Sequence, residues 1–501
     1  MRPRNPARPI AALVALLLVT QVALPQSLQT RLESLIYDSP AAAAEVGLAV
    51  VDVETGRVIA GYNADTPMIP ASNMKVLTSG AAMLTLGPDF AFRTKFLVHE
   101  SDGRRTLVVV GDGDPALGDP ELLGRGTTPL DVEGLLDKIA GALQKKGIDH
   151  LDEIVLDDRV FERETLHPSW PRDQLNRWYC AEVAGLNFHT NTVTVFPVAG
   201  SPGAVPVLTL EPEVPWLEVH NRAKSVSRGS NTVWVSRPDE SNTLTIFGDV
   251  RHRAEIPVAI SNPARFTGRV LATALQRRGI SVGDPGTAPG SHVRTIGTGE
   301  DYTDATAVAI VRTSIADVLA RCNVDSHNLY AEALLKRTGH AITGEPGSWA
   351  NGGAVIRMLL REHLGPGEAG SVKISDGSGM SRDNRVPPEI LARWLAALYR
   401  DADTREPLLI SLPEPGQGTL RSRFSDRELV HRVEAKSGYL NGVYALSGLL
   451  IDDGGRALAF SILLNEVPSG QASRAAKPLH EDIVATLDEW MSERGAAALG
   501  G

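Results

Sequence analysis

Apolar strand patterns stand at both ends of this 501-residue chain, and they constrain its fold more than any other feature. Near the start, Val46–Val53, a Glu54-Thr55-Gly56 turn and Arg57–Tyr62 read as a β-hairpin. Near the end, Ala445–Asp452, an Asp453-Gly454-Gly455 turn and Ala457–Leu464 read as a second, and an amphipathic helix from about Ala475 to Arg494 follows it. An isolated hairpin is marginal in water, so the two are expected to join as one antiparallel sheet covered by helices. The middle of the chain is then an insertion. From about Ala91 to Pro263 it is strand-like and turn-rich, with Thr106–Val110, Glu153–Leu156, Thr192–Val195 and Thr232–Val235 separated by Gly, Pro and Asp clusters. Helical pattern resumes at Arg265 to Gly279 and again at Ser314 to Arg321, where Ser314 and Asp317 give a capping signature. A chain this long exceeds the size at which one core stops growing, which fits an α+β, multidomain protein.

The first hairpin leads into Ser72-Asn73-Met74-Lys75, the start of a buried helical pattern running through Leu84. Serine and lysine three residues apart share one helix face. In a first helical turn, burial and the positive dipole end lower a lysine's pKa, and a hydroxyl needs such a base to become nucleophilic. A capping serine with a surface lysine has the same spacing, so the pair must be weighed with the rest of the chain. Ser326-His327-Asn328 opens the apolar helix Leu329–Leu335 and by itself reads equally well as an ordinary cap. Lys436-Ser437-Gly438 lies in a strand-like run ahead of the second hairpin. It is more specific, because the chain has only ten lysines. Its plain alternative is a surface strand lysine.

Composition excludes several other classes. A net charge of -10, without arginine clusters interleaved with aromatics, argues against nucleic acid as a partner. The twelve histidines are dispersed and none sits at ligand spacing with a cysteine, so no metal or other cofactor is expected. Gly111-Asp-Gly-Asp-Pro-Ala-Leu-Gly-Asp119 alternates acids with glycine but lacks the spacing of a calcium loop, and reads as a turn. Cys180 and Cys322 are too few for a disulfide framework; pairing and free buried thiols are equally compatible with the sequence. Arg2, Arg4 and Arg8 precede an apolar run from Ile10 to Leu18, the pattern of a secretory signal peptide over residues 1–27. An exported protein is expected, periplasmic or associated with the cell wall. No later stretch is long and apolar enough to span a membrane.

Taken in order, Ser-x-x-Lys, Ser-x-Asn and Lys-Ser-Gly resemble the signature of the penicillin-binding serine acyltransferases and the serine β-lactamases. The long insert after Lys75, the Asp376-Gly-Ser-Gly-Met-Ser381 run, Lys436–Gly448 and Gly113-Asp-Pro-Ala-Leu117 narrow this further. They are similar to the low-molecular-mass class C penicillin-binding proteins, the D-alanyl-D-alanine carboxypeptidases and endopeptidases, over roughly Leu32 to Leu487. The resemblance implies a β-lactamase-like transpeptidase domain from residues 28–91 and 263–495, with a β-rich insert at 92–262 divided into two nested units. It implies peptidoglycan stem peptides as substrates and β-lactams as acylating inhibitors. Ser72 would attack the penultimate D-alanine carbonyl, Lys75 would take its proton, Ser326 would relay a proton to the leaving amine, and Asn328 would hold the substrate amide. Lys436 and the Ser437 hydroxyl would hold the terminal carboxylate or tune the relay, with Arg382 as a further charged partner, Gly438 and Tyr439 continuing that strand, and the Ser72 and Tyr439 N–H groups forming the oxyanion hole. Some members read the third stem residue with an acidic side chain in the insert. Here the comparable segment, Trp170–Tyr179, places Gln174 beside Asp173 at that position and Tyr179 as a pocket aromatic. The competing readings are a catalytically idle peptidoglycan-binding wall protein and, ranked lower for want of a compact glutamate-bearing loop, a β-lactamase.

Overall fold

A computed structural model of the protein describes residues 27–499 apart from 126, 127, 289 and 471, so nearly all of the segment read as a signal peptide lies outside the described residues. The two ends of the chain meet in a five-stranded antiparallel sheet ordered Arg432–Leu440, Val443–Ile451, Ala457–Asn465, Glu45–Asp52, Val58–Tyr62. Glu45 pairs with Asn465 and Asp52 with Leu458, which fixes the register between the two hairpins. Every residue of Val443–Ile451 and Ala457–Asn465 is buried, because helices cover both faces of these central strands. On one face Leu32, Ile36, Ile483 and Leu487, from the first and last helices, pack against Leu446 and Phe460. On the other, helices Met74–Leu86 and Pro388–Arg400 bury Leu77, Leu391 and Trp394 against Leu449 and Leu463.

The insert is β-rich, as expected, and carries helices on its sheets as well. Its larger unit is a mixed five-stranded sheet ordered Val293–Thr295, Glu153–Asp157, Arg104–Val110, Ala91–Ser101, Thr306–Ser314. Helix Val132–Lys145 covers it, capped by the Asp131 side chain on Gly134 N–H. The expected boundary at residue 263 moves. Helix Pro263–Arg277 buries Phe266, Val270 and Leu275 against Leu107, Ile154 and Leu156 of this sheet, and Thr306–Ser314 closes the sheet's edge on Ala91–Ser101. Helical periodicity reports that a helix has an apolar face but not which layer receives it. The chain therefore returns to the two-ended sheet only at helix Ile315–Asn323, whose cap is Ser314 accepting from Asp317 N–H. Smaller two- and three-stranded sheets between Thr192 and Ala259 pack into the same apolar cluster as the mixed sheet.

A third part of the insert reaches the site. Phe161, Trp170, Leu175, Cys180 and Val183 pack on Leu329 and Ala333 of helix Asn328–Thr343. Asp119, in the Gly-Asp loop, accepts hydrogen bonds from buried Arg321 and from Tyr330, so its carboxylate ties the insert to the helices beneath it.

Candidate active site

Ser72 stands on a 3-10 turn, Ala71–Asn73, that runs directly into helix Met74–Leu86. Ala71 takes φ +46°, a left-handed conformation unusual for a residue with a Cβ. The turn is clamped from both sides. The Asn73 amide donates to Ser447 Oγ at 2.6 Å, and Gly379 packs so closely that an added Cβ would lie 1.8 Å from the Ala71 carbonyl oxygen. Gly438 approaches from the edge strand, where a Cβ would sit 3.0 Å from Ser72 N and 3.1 Å from Pro70 O. Glycine in the third motif is thus a requirement of backbone contact with the serine turn.

Lys75 lies one helical turn on and is fully buried. Its Nζ donates to Ser72 Oγ at 3.0 Å, to Asn328 Oδ1 at 2.7 Å and to the Ser378 carbonyl at 2.8 Å. An ammonium has three protons and no lone pair, so in its charged form every position is filled. Two of these acceptors, Asn328 Oδ1 and Ser378 O, cannot donate in return. When Lys75 is neutral its two remaining N–H groups satisfy them and its lone pair faces the Ser72 hydroxyl. Burial lowers the Lys75 pKa to about 8, while Cys322, Glu332 and Asp376 draw it back upward.

Ser326 takes φ +59° just before the helix that Asn328 opens. Its Oγ accepts from Lys436 Nζ at 2.9 Å, and Lys436 also donates to the Ser437 carbonyl at 2.8 Å. Lys436 is fully buried, and burial followed by the nearby Lys75 charge drives its pKa well below the ordinary range. Asn328 donates its amide N–H to the Tyr179 carbonyl at 2.8 Å, so the insert itself orients the asparagine. His327, between the two, is buried and held near a pKa of about 3 by burial and Arg321; it packs its ring on Tyr330 and Trp178.

The five residues to which the sequence points fall into two hydrogen-bonded groups on one cleft, Ser72 and Asn328 around Lys75 and Ser326 on Lys436. A cleft of about 630 Å³ opens above them, lined by Ser72, Ser326, Asn328, Ser437, Tyr439 and Arg382 and by Gln174 and Tyr179 of the insert. The Tyr179 hydroxyl donates to Gln174 Oε1 at 3.1 Å, and Arg382 donates to the Asn441 carbonyl at 3.0 Å. Asp173 is exposed on the adjoining turn and does not line the cleft. Cys180 and Cys322 are both free and buried. Among the described residues no group of acids, histidines and cysteines is arranged to hold a metal ion.

Sequence reasoning missed Glu332. It lies one turn beyond Asn328, fully buried, and accepts from Ser378 N at 2.8 Å, Gly377 N at 2.9 Å and Trp349 Nε1 at 2.8 Å. Asp376 accepts from Gly379 N, Ser381 N, Asn384 and, from the insert, Trp170 Nε1. Together the two carboxyls shape the loop whose Ser378 carbonyl holds Lys75. A glutamate in the middle of an apolar helix was the available signal, since such a residue is rarely buried without partners.

The sequence profile of the D-Ala-D-Ala carboxypeptidase 3 (S13) family matches residues 28–489. The D-alanyl-D-alanine carboxypeptidase of Actinomadura sp. (strain R39) is 30% identical over 485 residues, covering 92% of this chain and 85% of that protein. In fold, the chain matches penicillin binding protein 4 from Haemophilus influenzae with a TM-score of 0.74 at 22% identity, over 92% of this chain and 99% of that one. The same Haemophilus protein complexed with a β-lactam matches with a TM-score of 0.69 and the same coverage.

Proposed function

The chain belongs to the D-Ala-D-Ala carboxypeptidase 3 (S13) family and is a serine-type D-Ala-D-Ala carboxypeptidase, and we propose that its acyl-enzyme forms on Ser72. The observation that carries this assignment is the Lys75 geometry, which turns a lone pair on Ser72 Oγ once the lysine is neutral. Neutral Lys75 takes the hydroxyl proton as Oγ bonds to the carbonyl carbon of the penultimate D-alanine. The C–N bond then breaks, the amine leaves with a proton delivered through Ser326, which Lys436 polarises, and water hydrolyses the Ser72 ester in a second step. The N–H groups of Ser72 and Tyr439 receive the developing oxyanion.

Ser437 and Arg382, at the rim of the cleft, take the free carboxylate of the terminal D-alanine. Gln174 and Tyr179 meet the third stem residue with an amide and a phenol in place of a carboxylate, which favours a neutral or amidated side chain there over a free amine. Asp173, exposed and outside the cleft lining, does not take that role. β-Lactams acylate the same serine, and the protein acts outside the cytoplasmic membrane on peptidoglycan; among the described residues no helix is long and apolar enough to cross a membrane.

The test is labelling with fluorescent penicillin, comparing wild type with Ser72→Ala, together with D-alanine release from a stem pentapeptide. Wild type is expected to label and to release D-alanine, and the variant to do neither. An unlabelled wild type that only retains peptidoglycan would make it a wall-binding protein, and rapid turnover of penicillin would make it a β-lactamase.

A further inference from the structure

One outward face of the insert carries an ordered group of side chains that the chemistry at Ser72 does not use. Strands Trp234–Ser236, Leu244–Phe247 and Val219–Asn221 form a three-stranded sheet in that order. Side chains alternate between the two faces of such a sheet. Val235, Leu244 and Ile246 are buried in the insert core, so Trp234, Ser236, Thr245, Phe247 and His220 point outward. Arg222 continues the third strand, its backbone N–H donating to the Ile246 carbonyl at 2.9 Å, and its side chain shares the outward face.

Two rows result. In the first, Trp234 lies opposite Phe247, their rings 4.7 Å apart and inclined by 20°, and the Arg222 guanidinium stands 6.0 Å beyond the centre of the Phe247 ring. In the second, Ser236, Thr245 and His220 lie side by side. A cross-strand aromatic pair steadies a small sheet whether covered or not. Here Trp234 is on an edge strand and 48% exposed, which leaves the second face of its indole open, and Arg222 and His220 are exposed with it.

This combination has the chemistry of a saccharide site. A pyranose ring has an apolar C–H face that packs on an indole, and a rim of hydroxyl and acylamino groups that need the donors and acceptors of the second row. Charge narrows the class. Residues 219–253 carry six arginines and lysines against three acids, in a chain whose net charge is -10, so the complementary sugar polymer is anionic. Position narrows it again. Asn176 donates to the Val235 carbonyl at 2.8 Å, and the Arg237 guanidinium donates to the Leu175 carbonyl at 2.9 Å. The strand that carries Trp234 is thus bonded to the segment that brings Gln174 and Tyr179 to the cleft. A stem peptide leads from Ser72 past those two residues toward the sugar that bears it.

We infer that this face is a carbohydrate-binding site, separate from the catalytic cleft, that takes the carboxylate-bearing sugar strand of the wall and needs neither a peptide nor bond cleavage to do so. Its direction rests on the stem-peptide reading of the cleft, but the binding is independent of Ser72.

The test titrates the full chain with wall glycan strands stripped of their peptides, which carry free carboxylates and offer the cleft no stem, and follows binding by calorimetry. Wild type is expected to bind, less tightly as salt rises. Trp234→Ala and Arg222→Glu are each expected to weaken binding by roughly tenfold. Trp234→Tyr, which keeps an aromatic face, should retain most of it, and all three variants should label with penicillin as wild type does. No binding by wild type, or binding that survives both Trp234→Ala and Arg222→Glu, overturns the inference. A wild type that ignores the glycan and is a dimer that Trp234→Ala makes monomeric gives this face to a second copy, and also overturns it. If Trp234→Ala loses cooperative thermal unfolding, the exposed Arg222→Glu variant decides. A wild type that binds glycan but does not label with penicillin supports this site and strikes the acyl-enzyme instead.

Discussion

Glu332→Gln removes one charge and almost no volume, and its consequences can be worked out atom by atom. One carboxylate oxygen accepts from Gly377 N and Trp349 Nε1, and the other accepts from Ser378 N. A glutamine whose carbonyl takes the first position points its NH2 at the Ser378 N–H, leaving a buried donor facing a donor. An orphaned buried donor costs about 1–3 kcal/mol. That strain falls on the residue whose carbonyl holds Lys75. Expressed in the transition state, the same figure corresponds to a loss of roughly fivefold to 150-fold in acylation rate. The charge has a second effect of opposite character. Burial, then Asp376, raises the Glu332 pKa to about 7, and its ionised form raises that of Lys75. Without it the Lys75 pKa falls below about 8, so more lysine is neutral at a given pH and the acidic limb of the rate profile moves to lower pH. Stopped-flow acylation by a chromogenic penicillin between pH 5.5 and 9 reads both quantities. A lower plateau with the limb shifted toward acid is expected. Wild-type rates with an unmoved limb, or a limb displaced toward higher pH, would refute the argument.

In the wild type, acylation should rise about tenfold per pH unit well below pH 8 and level off above it, because only the deprotonated Lys75 can accept the serine proton and its pKa lies at about 8; a penicillin-labelling rate independent of pH between 6 and 8 would remove Lys75 as the base. Gly438→Ala forces a Cβ to within 3.0 Å of Ser72 N, and because the strand and the serine turn must then separate, labelling should slow by about tenfold or more while circular dichroism is unchanged. Cys180 and Cys322 are buried and burial pushes both thiols up to about 12, so neither should react with a thiol reagent until the protein is denatured, and two equivalents should react then. Prompt reaction of either thiol in the native protein would contradict their placement.

Much of the site was legible because its chemistry depends on residue types at short spacings. Ser72 and Lys75 are one helical turn apart, Ser326 and Asn328 flank a helix start, and Lys436 is followed by small residues. What could not be read is whatever depends on a meeting across the chain. The Tyr179 contact with Asn328 uses a backbone carbonyl, which leaves no trace in residue identity. Glu332 is an ordinary helix former by propensity, and only its burial among N–H donors reveals its use. In the fold, the two hairpins were readable from alternating apolar runs closed by Gly-containing turns. Helix Val132–Lys145 was missed although Val132, Leu135, Leu136, Ile139 and Leu143 carry its period and Asp131 caps it. The displaced boundary near 263 has a different origin: residues 263–314 form regular elements whose partners, such as Ile154 and Lys95, lie far earlier in the chain.

The three acceptors around Lys75 come from residues 72, 328 and 378, two of them separated from it by 253 and 303 positions in the chain. No stretch of nascent polypeptide holds more than a fragment of that arrangement, and the asparagine is correctly turned only after the insert has docked. An incompletely folded chain therefore carries a lysine with its ordinary solution basicity beside an inert alcohol. The arrangement around Lys75 is therefore complete only when both long-range contacts and the docked insert are in place together.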